Sequence, residues 1–200
     1  MISQLPSPLR GRGAGGEGRQ LLPLLALLAA GCGRSHQLVP LSVGQKWDYL
    51  FRWGVQQETG RLEVVREVPV AGNVGWELAS PMGVSRLGYV GDQLVADQLS
   101  GAFLSRPLPI GIPVGTKTKW EGYLTLPGGR KPGKAEIVST DEKQTVAGRR
   151  RSLIRTVVTM KVDGHVVELV TLIAPGDGIV DQEQSTDQKL DFSVHRVAGE

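Results

Sequence analysis

The sequence predicts an all-β domain, β-rich with at most a minor helix, an antiparallel barrel, half-barrel or sandwich that turns one apolar face inward. Three observations carry this expectation. From residue 41 onward, apolar positions alternate with a period of two, as they do along half-buried strands. The chain holds 27 Gly and 12 Pro among its 200 residues, which is costly for long helices and excludes a helical bundle or coiled coil. No stretch of twelve or more residues after Cys32 carries helical periodicity. Composition agrees, since 40% hydrophobic and 22% charged residues describe a globular domain, not a disordered tail or a polytopic membrane protein. The single cysteine excludes a disulfide framework and any multi-cysteine metal site within the chain.

The first element is a leader. The apolar run Leu21–Ala30 follows Arg10, Arg12 and Arg19. At roughly 1.5 Å of rise per residue it covers only about half of a ~30 Å hydrocarbon core, too short for a stable span but suited to a secretion signal. The ending Leu28-Ala29-Ala30-Gly31-Cys32 resembles the lipobox of bacterial lipoproteins, with Ala29 standing where a larger aliphatic is usual. The resemblance implies cleavage before Cys32 and acylation, palmitate included, of its thiol and new amine. Residues 1–31 are thus expected to be a lipoprotein signal peptide, 32–40 an acylated tether, and 41–200 a single β-rich envelope domain. The Gly- and Arg-rich stretch Leu9–Gln20 further suggests a true translation start downstream of Met1. Removing Arg10, Arg12, Arg19 and Glu17 with the leader leaves 20 Lys+Arg against 19 Asp+Glu. So small an excess does not support nucleic-acid binding.

The domain then opens with Trp47, Tyr49, Phe51 and Trp53 on one side of a strand. Such large flat side chains either fill a core or line an apolar cavity. Strands follow near 61–68 and 74–80, with turns at Glu58-Thr59-Gly60 and Ala71-Gly72-Asn73. A hairpin at Gly91-Asp92 puts Leu87, Tyr89, Leu94 and Ala96 on one face and sets Arg86 opposite Asp97. Pro107 to Gly115 holds three prolines with Leu108, Ile110 and Ile112, a segment that could cover the concave face of the half-barrel which the resemblance given below implies. Strands near 117–126 and 134–142 flank a turn at Pro127-Gly128-Gly129, and Ala147-Gly148 marks another. The clearest hairpin turns at Asp163-Gly164, a type I′ signal between β-branched runs. It places Val162 opposite His165, Met160 opposite Val167, Val158 opposite Leu169, Thr156 opposite Thr171 and Ile154 opposite Ile173. A one-residue slip would exchange its faces, so the pattern pins the register. Strands near 177–184 and 188–197 complete the sheet. Val43-Gly44-Gln45-Lys46-Trp47-Asp48-Tyr49 is echoed, with two residues inserted, by Val114 to Tyr123.

The lipobox, the Val-Gly-x-x-Trp-x-Tyr entry strand and the late Ala174-Pro175-Gly176-Asp177-Gly178-Ile179-Val180 together resemble a group of bacterial envelope lipoproteins of unknown function. Those proteins carry an Ala-Pro-Gly-x-Gly-x-Val motif, and their domain is similar to the half-barrel of the LolA/LolB lipoprotein carriers. The resemblance spans roughly Leu41 to Val197. Asp177 departs from it, standing where an apolar residue is commoner, as does Arg149-Arg150-Arg151 after Gly148, where an aromatic is usual. It implies a concave apolar side that could hold an apolar ligand, with Trp47, Tyr49, Phe51, Trp53, Val158, Met160, Val167 and Leu169 as the lining.

The sequence offers no chemistry beside this. His36, His165 and His195 have no ligand partner at metal-binding spacing, and no Gly-x-Ser-x-Gly elbow is present. Asp141-Glu142 and Asp181/Glu183 read as solvated strand-end carboxylates rather than a glycosidase pair. Gly128-Gly129-Arg130-Lys131-Pro132-Gly133 lacks the helix that a phosphate-binding loop needs. Arg149-Arg150-Arg151 reads as a solvated edge, or as a contact for anionic head groups. The expectation is therefore a non-enzymatic domain with no cofactor and no metal. It is held to the membrane by its acyl chains, on the periplasmic face of the outer membrane where the cell has one. It would bind a lipid or other apolar ligand, or an envelope protein. The alternatives are a structural lipoprotein with a filled core and, last, a hydrolase.

Overall fold

Each strand runs antiparallel to its neighbour in sequence, and the last pairs with the first. The computed structural model describes residues 38–146 and 149–197, so the leader, Cys32 and the Ala147-Gly148 turn lie outside the described residues. The strands are β1 (Lys46–Trp53), β2 (Gln56–Val70), β3 (Asn73–Ser80), β4 (Gly83–Val90), β5 (Gln93–Leu99) and β6 (Ala102–Gly111). They continue with β7 (Lys117–Leu126), β8 (Gly129–Val146), β9 (Arg149–Val162), β10 (His165–Ala174), β11 (Gly178–Thr186) and β12 (Lys189–Arg196). The fold is all-β, as the alternation predicts. The sheet does not stop as a half-barrel, however. Tyr49 to Trp53 of β1 pair with Phe192 to Arg196 of β12, and the ring closes. Closure removes both sheet edges and leaves no open side to be covered.

The hairpin at Asp163-Gly164 has the predicted register at all five rungs, from Val162–His165 to Ile154–Ile173. Asp163 and Gly164 both adopt positive φ (52° and 84°), as a type I′ turn demands. Val158, Met160, Leu169 and Ile173 are buried on its inner face, while Ile154, Val162 and Val167 pack at the margin of the core. That inner face also carries a polar row: Ser139, Thr156 and Thr171 are buried on successive strands, and Gln182 Nε2 donates to Thr171 Oγ1 at 3.2 Å.

Three other local readings are corrected. Glu58-Thr59-Gly60 lies inside β2, paired with Tyr49 to Phe51, and the turn falls earlier, at Gly54-Val55. Arg86 faces Gln98 rather than Asp97, because a bulge shifts the β4–β5 register between Arg86 and Leu87. Arg86 instead donates to Glu77, which Arg66 also grips with both nitrogens at 2.9 Å. Pro107 to Gly111 belong to the wall strand β6, with Leu108, Ile110 and Ile112 buried in the core.

The prolines leave their mark on the seam between β6 and β7. A proline has no N–H to give to a ladder. Only Phe103–Thr125 and Leu104–Leu124 pair across this seam, whereas β7 and β8 pair from Lys117–Val138 through Leu126–Gly129. Beyond those two rungs, side chains do the lacing. The Tyr123 N–H donates to Ser105 Oγ at 2.8 Å, and Trp120 Nε1 donates to the Arg106 carbonyl at 3.1 Å. Gly122 and Gly133, opposite each other, make room for that indole. A Cβ on Gly122 would stand 2.6 Å from Trp120 Cζ2.

One mouth of the barrel is crossed by the entry segment. The Val39 N–H donates to Tyr89 Oη at 2.7 Å, and the same hydroxyl donates to the Val39 carbonyl at 2.8 Å. On the other side of the mouth, the Gly176 N–H donates to the Leu38 carbonyl at 3.2 Å. Leu38, Val39 and Leu41 are buried in the main core. Gly111 permits this approach, since a Cβ there would lie 2.6 Å from Ile173 Cδ1 and 3.3 Å from Leu38 Cδ1. The Ala174-Pro175-Gly176-Asp177-Gly178-Ile179-Val180 motif thus works as a fastening. Besides Gly176, it offers the Ile179 carbonyl to the buried Tyr49 hydroxyl at 2.6 Å, and Arg151 and Arg196 both hold Asp177.

The Glu77 cluster yields a first prediction. Pairing with Arg66, ahead of the opposing effect of burial and the bond from Arg86, holds the Glu77 carboxyl below the ordinary carboxylate range. A depressed folded value stabilises above the unfolded value, about 4.3, and that contribution fades as pH falls through the folded value. Glu77→Gln is therefore expected to be less stable than the parent at neutral pH and to converge with it as pH falls through the folded value of the carboxyl. Urea midpoints measured across that range would show this. Parallel curves would contradict it.

Candidate functional site

The resemblance to the half-barrel carriers implies eight side chains as the lining of a possible cavity. The structure places them in a packed interior. Trp47, Tyr49, Phe51, Val158, Met160 and Leu169 are core residues, and Trp53 and Val167 pack against that core. The interior space beside Tyr49 and Phe51, reaching toward Met82 and Leu99 at the far mouth, is ≈ 50 Å³. Small-molecule sites usually occupy roughly 300–1,000 Å³, so this void has room for water and not for an acyl chain. The tyrosine and phenylalanine rings meet edge-on at 6.1 Å, which is packing geometry.

The larger concavities lie outside, where the β6–β7 ladder gives out. Two adjoining open depressions, ≈ 680 and ≈ 720 Å³, share Arg106, Glu121, Lys134 and Lys161. Period-two alternation explains the lining, because residues 119, 121 and 123 of β7 point outward while Trp120 points in. The neighbouring strands add residues 130, 132, 134 and 136 of β8 and 159 and 161 of β9. Five cations line the groove: Arg106, Lys119, Arg130, Lys134 and Lys161. Only two carboxylates oppose them. Glu121 is paired with Lys134 at 3.1 Å, and Glu136 with Lys117 at 3.1 Å. Lys117, with smaller contributions from Lys119 and Lys161, holds the Glu136 carboxyl below its ordinary range. Arg106, Lys119 and Lys161 have no ion-pair partner among the described residues. At one end of the groove the Arg130 guanidinium lies 4.1 Å from the centre of the half-exposed Tyr123 ring.

Two histidines gain partners that sequence spacing does not reveal. His165 Nδ1 lies 2.7 Å from Asp187 Oδ2, joining two neighbouring hairpins at their turns. The Asp187 hydrogen bond raises the His165 value, so this contact favours folding most below about 6.5 and loses its effect as pH rises through the raised value. His195 Nδ1 lies 3.0 Å from Asp181 Oδ2, and Glu183 brings the donor atoms of all three within 4.8 Å of one another. Burial raises the Asp181 carboxyl, with His195 opposing it.

Comparison of the structure with solved ones finds a related architecture. A chain from Parabacteroides distasonis ATCC 8503, described as a "putative lipoprotein", aligns over 80% of this chain and 96% of its own, with TM-score 0.50 and 10% identity. The likeness is one of fold. A chain from Bacteroides fragilis NCTC 9343, described as a "putative exported protein with YmcC-like fold", aligns over 79% and 96%, with TM-score 0.46 and 11% identity. No protein-family model matches the sequence, and neither does any curated protein.

The groove is what sequence reasoning missed. Its lining comes from four strands, and Arg106 and Lys161 are 55 positions apart. One signal was present in the chain: Lys117, Lys119, Lys134 and Lys161 all fall on the polar phase of alternating strands.

Proposed function

We propose that this chain is a lipid-anchored envelope lipoprotein whose barrel is a rigid, filled carrier with no enzymatic role, and which binds through its outer wall. One observation carries the reading: the space beside Tyr49 and Phe51 is ≈ 50 Å³ while the outer wall opens into cation-lined depressions of ≈ 680 and ≈ 720 Å³. An apolar ligand inside the barrel gains no support from that geometry. The apolar run with Cys32 directly behind it supports the anchor, as does the likeness in fold to the Parabacteroides chain described as a lipoprotein. Two or three acyl chains, at about 0.8 kcal/mol per buried methylene, hold such a domain stably on a membrane.

Cys32 lies six positions before Leu38, so a tether of at most roughly 20 Å would join the anchor to the barrel. Gly33 after the cysteine favours the periplasmic face of an outer membrane. Metabolic labelling of the full chain with a palmitate analogue tests the anchor. Label and membrane retention are expected in the parent, and Cys32→Ser should lose both. Unlabelled parent protein, or a serine variant that still pellets with membranes, would end the reading.

A further inference from the structure

We infer that the groove over β6–β9 is a binding site for an acidic polysaccharide, a hydroxyl-rich polymer carrying carboxylates. The inference rests on reading the outer wall as the working surface, and it is independent of the anchor. The five cations supply the affinity for charge, and four of them, all but Lys134, have no ion-pair partner among the described residues. The two depressions adjoin and are open to solvent. Lys119 to Tyr123 alone spans roughly 13 Å of strand, room for several sugar units in an extended chain.

Three features select a sugar polymer over other polyanions. Glu121 and Glu136 stay in the groove beside the cations, where they can accept hydrogen bonds from sugar hydroxyls, donors that a polyphosphate lacks. The half-exposed Tyr123 ring and the guanidinium over it form a planar patch against which a sugar ring can lie. Arg130 is stacked on that same ring and stands ready to meet a carboxylate with its planar fork. The concave shape argues against a bilayer, whose flat surface would meet only the protruding ends of the lysines.

Polygalacturonate serves as the probe, cast into native gels run with the full mature chain in neutral detergent. Polyphosphate, neutral dextran and phosphatidylglycerol vesicles provide the comparison arms. Polygalacturonate should retard the protein, dextran should not, and the retardation should weaken with salt. Lys134→Glu with Lys161→Glu is expected to weaken polygalacturonate binding by roughly tenfold or more, whereas Lys189→Glu, outside the groove, should leave it unchanged. Tyr123→Ala should weaken polygalacturonate binding by about fivefold without altering any residual retention by polyphosphate. Unchanged thermal midpoints would confirm that these exposed-site variants are folded. No retardation by polygalacturonate would overturn the inference. So would equal or stronger binding of polyphosphate or vesicles with Tyr123→Ala silent, since that pattern is charge alone. Neither outcome would bear on palmitate labelling at Cys32.

Discussion

Phe51→Ala is expected to lower the stability of the barrel by about 3–5 kcal/mol, among the largest effects of any single substitution in this chain. Phe51 is 2% exposed and sits edge-on to Tyr49 in the centre of the main cluster, on the strand that closes the ring against β12. Truncation removes the buried ring and leaves a hole that the β1–β2 and β1–β12 ladders hold open. For a domain of this size each kcal/mol moves the melting temperature by roughly 2–4 °C, so calorimetry should record a drop of about 10 °C. The contrast with a ligand pocket is direct. A residue lining an empty cavity would cost little stability when shortened, and a loss below about 1 kcal/mol would show that the interior is not packed around this ring.

The second large effect is expected at the mouth. Leu41→Ala should cost about 2–5 kcal/mol, because Leu41 is 5% exposed and joins Leu38 and Val39 in the same cluster as Phe51. Two measurements separate global from local loss. Urea unfolding reports the whole barrel, and amide exchange at Gly176 reports the bond from its N–H to the Leu38 carbonyl. Both should shift together if the entry segment is part of the cooperative core. Faster exchange at Gly176 with an unmoved urea midpoint would show instead that the segment peels away alone.

How much of this was legible depended on the range of the interaction. The Asp163-Gly164 hairpin was readable in full because a two-residue turn and matched alternation fix it locally. The β4–β5 hairpin was readable only in part. Its inner pairs Leu87–Ala96 and Tyr89–Leu94 follow from the turn, but the bulge beyond them leaves no mark in the alternation. Pro107 to Gly115 misled because prolines argue against a central strand, and the chain resolves the conflict by giving β6 only two rungs on its β7 side. Ring closure joins residues near 50 to residues near 194, a pairing that no local pattern encodes. The groove was hidden for the same reason, being assembled across strands. The aromatic row, by contrast, had both its readings visible in sequence, and in the structure Trp47, Tyr49 and Phe51 are buried in the main cluster.

The thin lacing between β6 and β7 means that the natural break in this cylinder is not where the polypeptide starts and stops. First and last strands are stitched along five positions, while the sixth and seventh hold at two and rely on Ser105 and Trp120 for the rest. A circularly permuted chain, cut between residues 111 and 117 and rejoined from 197 to 38 by a flexible linker, should therefore fold to the same cylinder. Its new ends would emerge beside the proposed sugar-binding face, so a fluorophore placed there would report occupancy at close range.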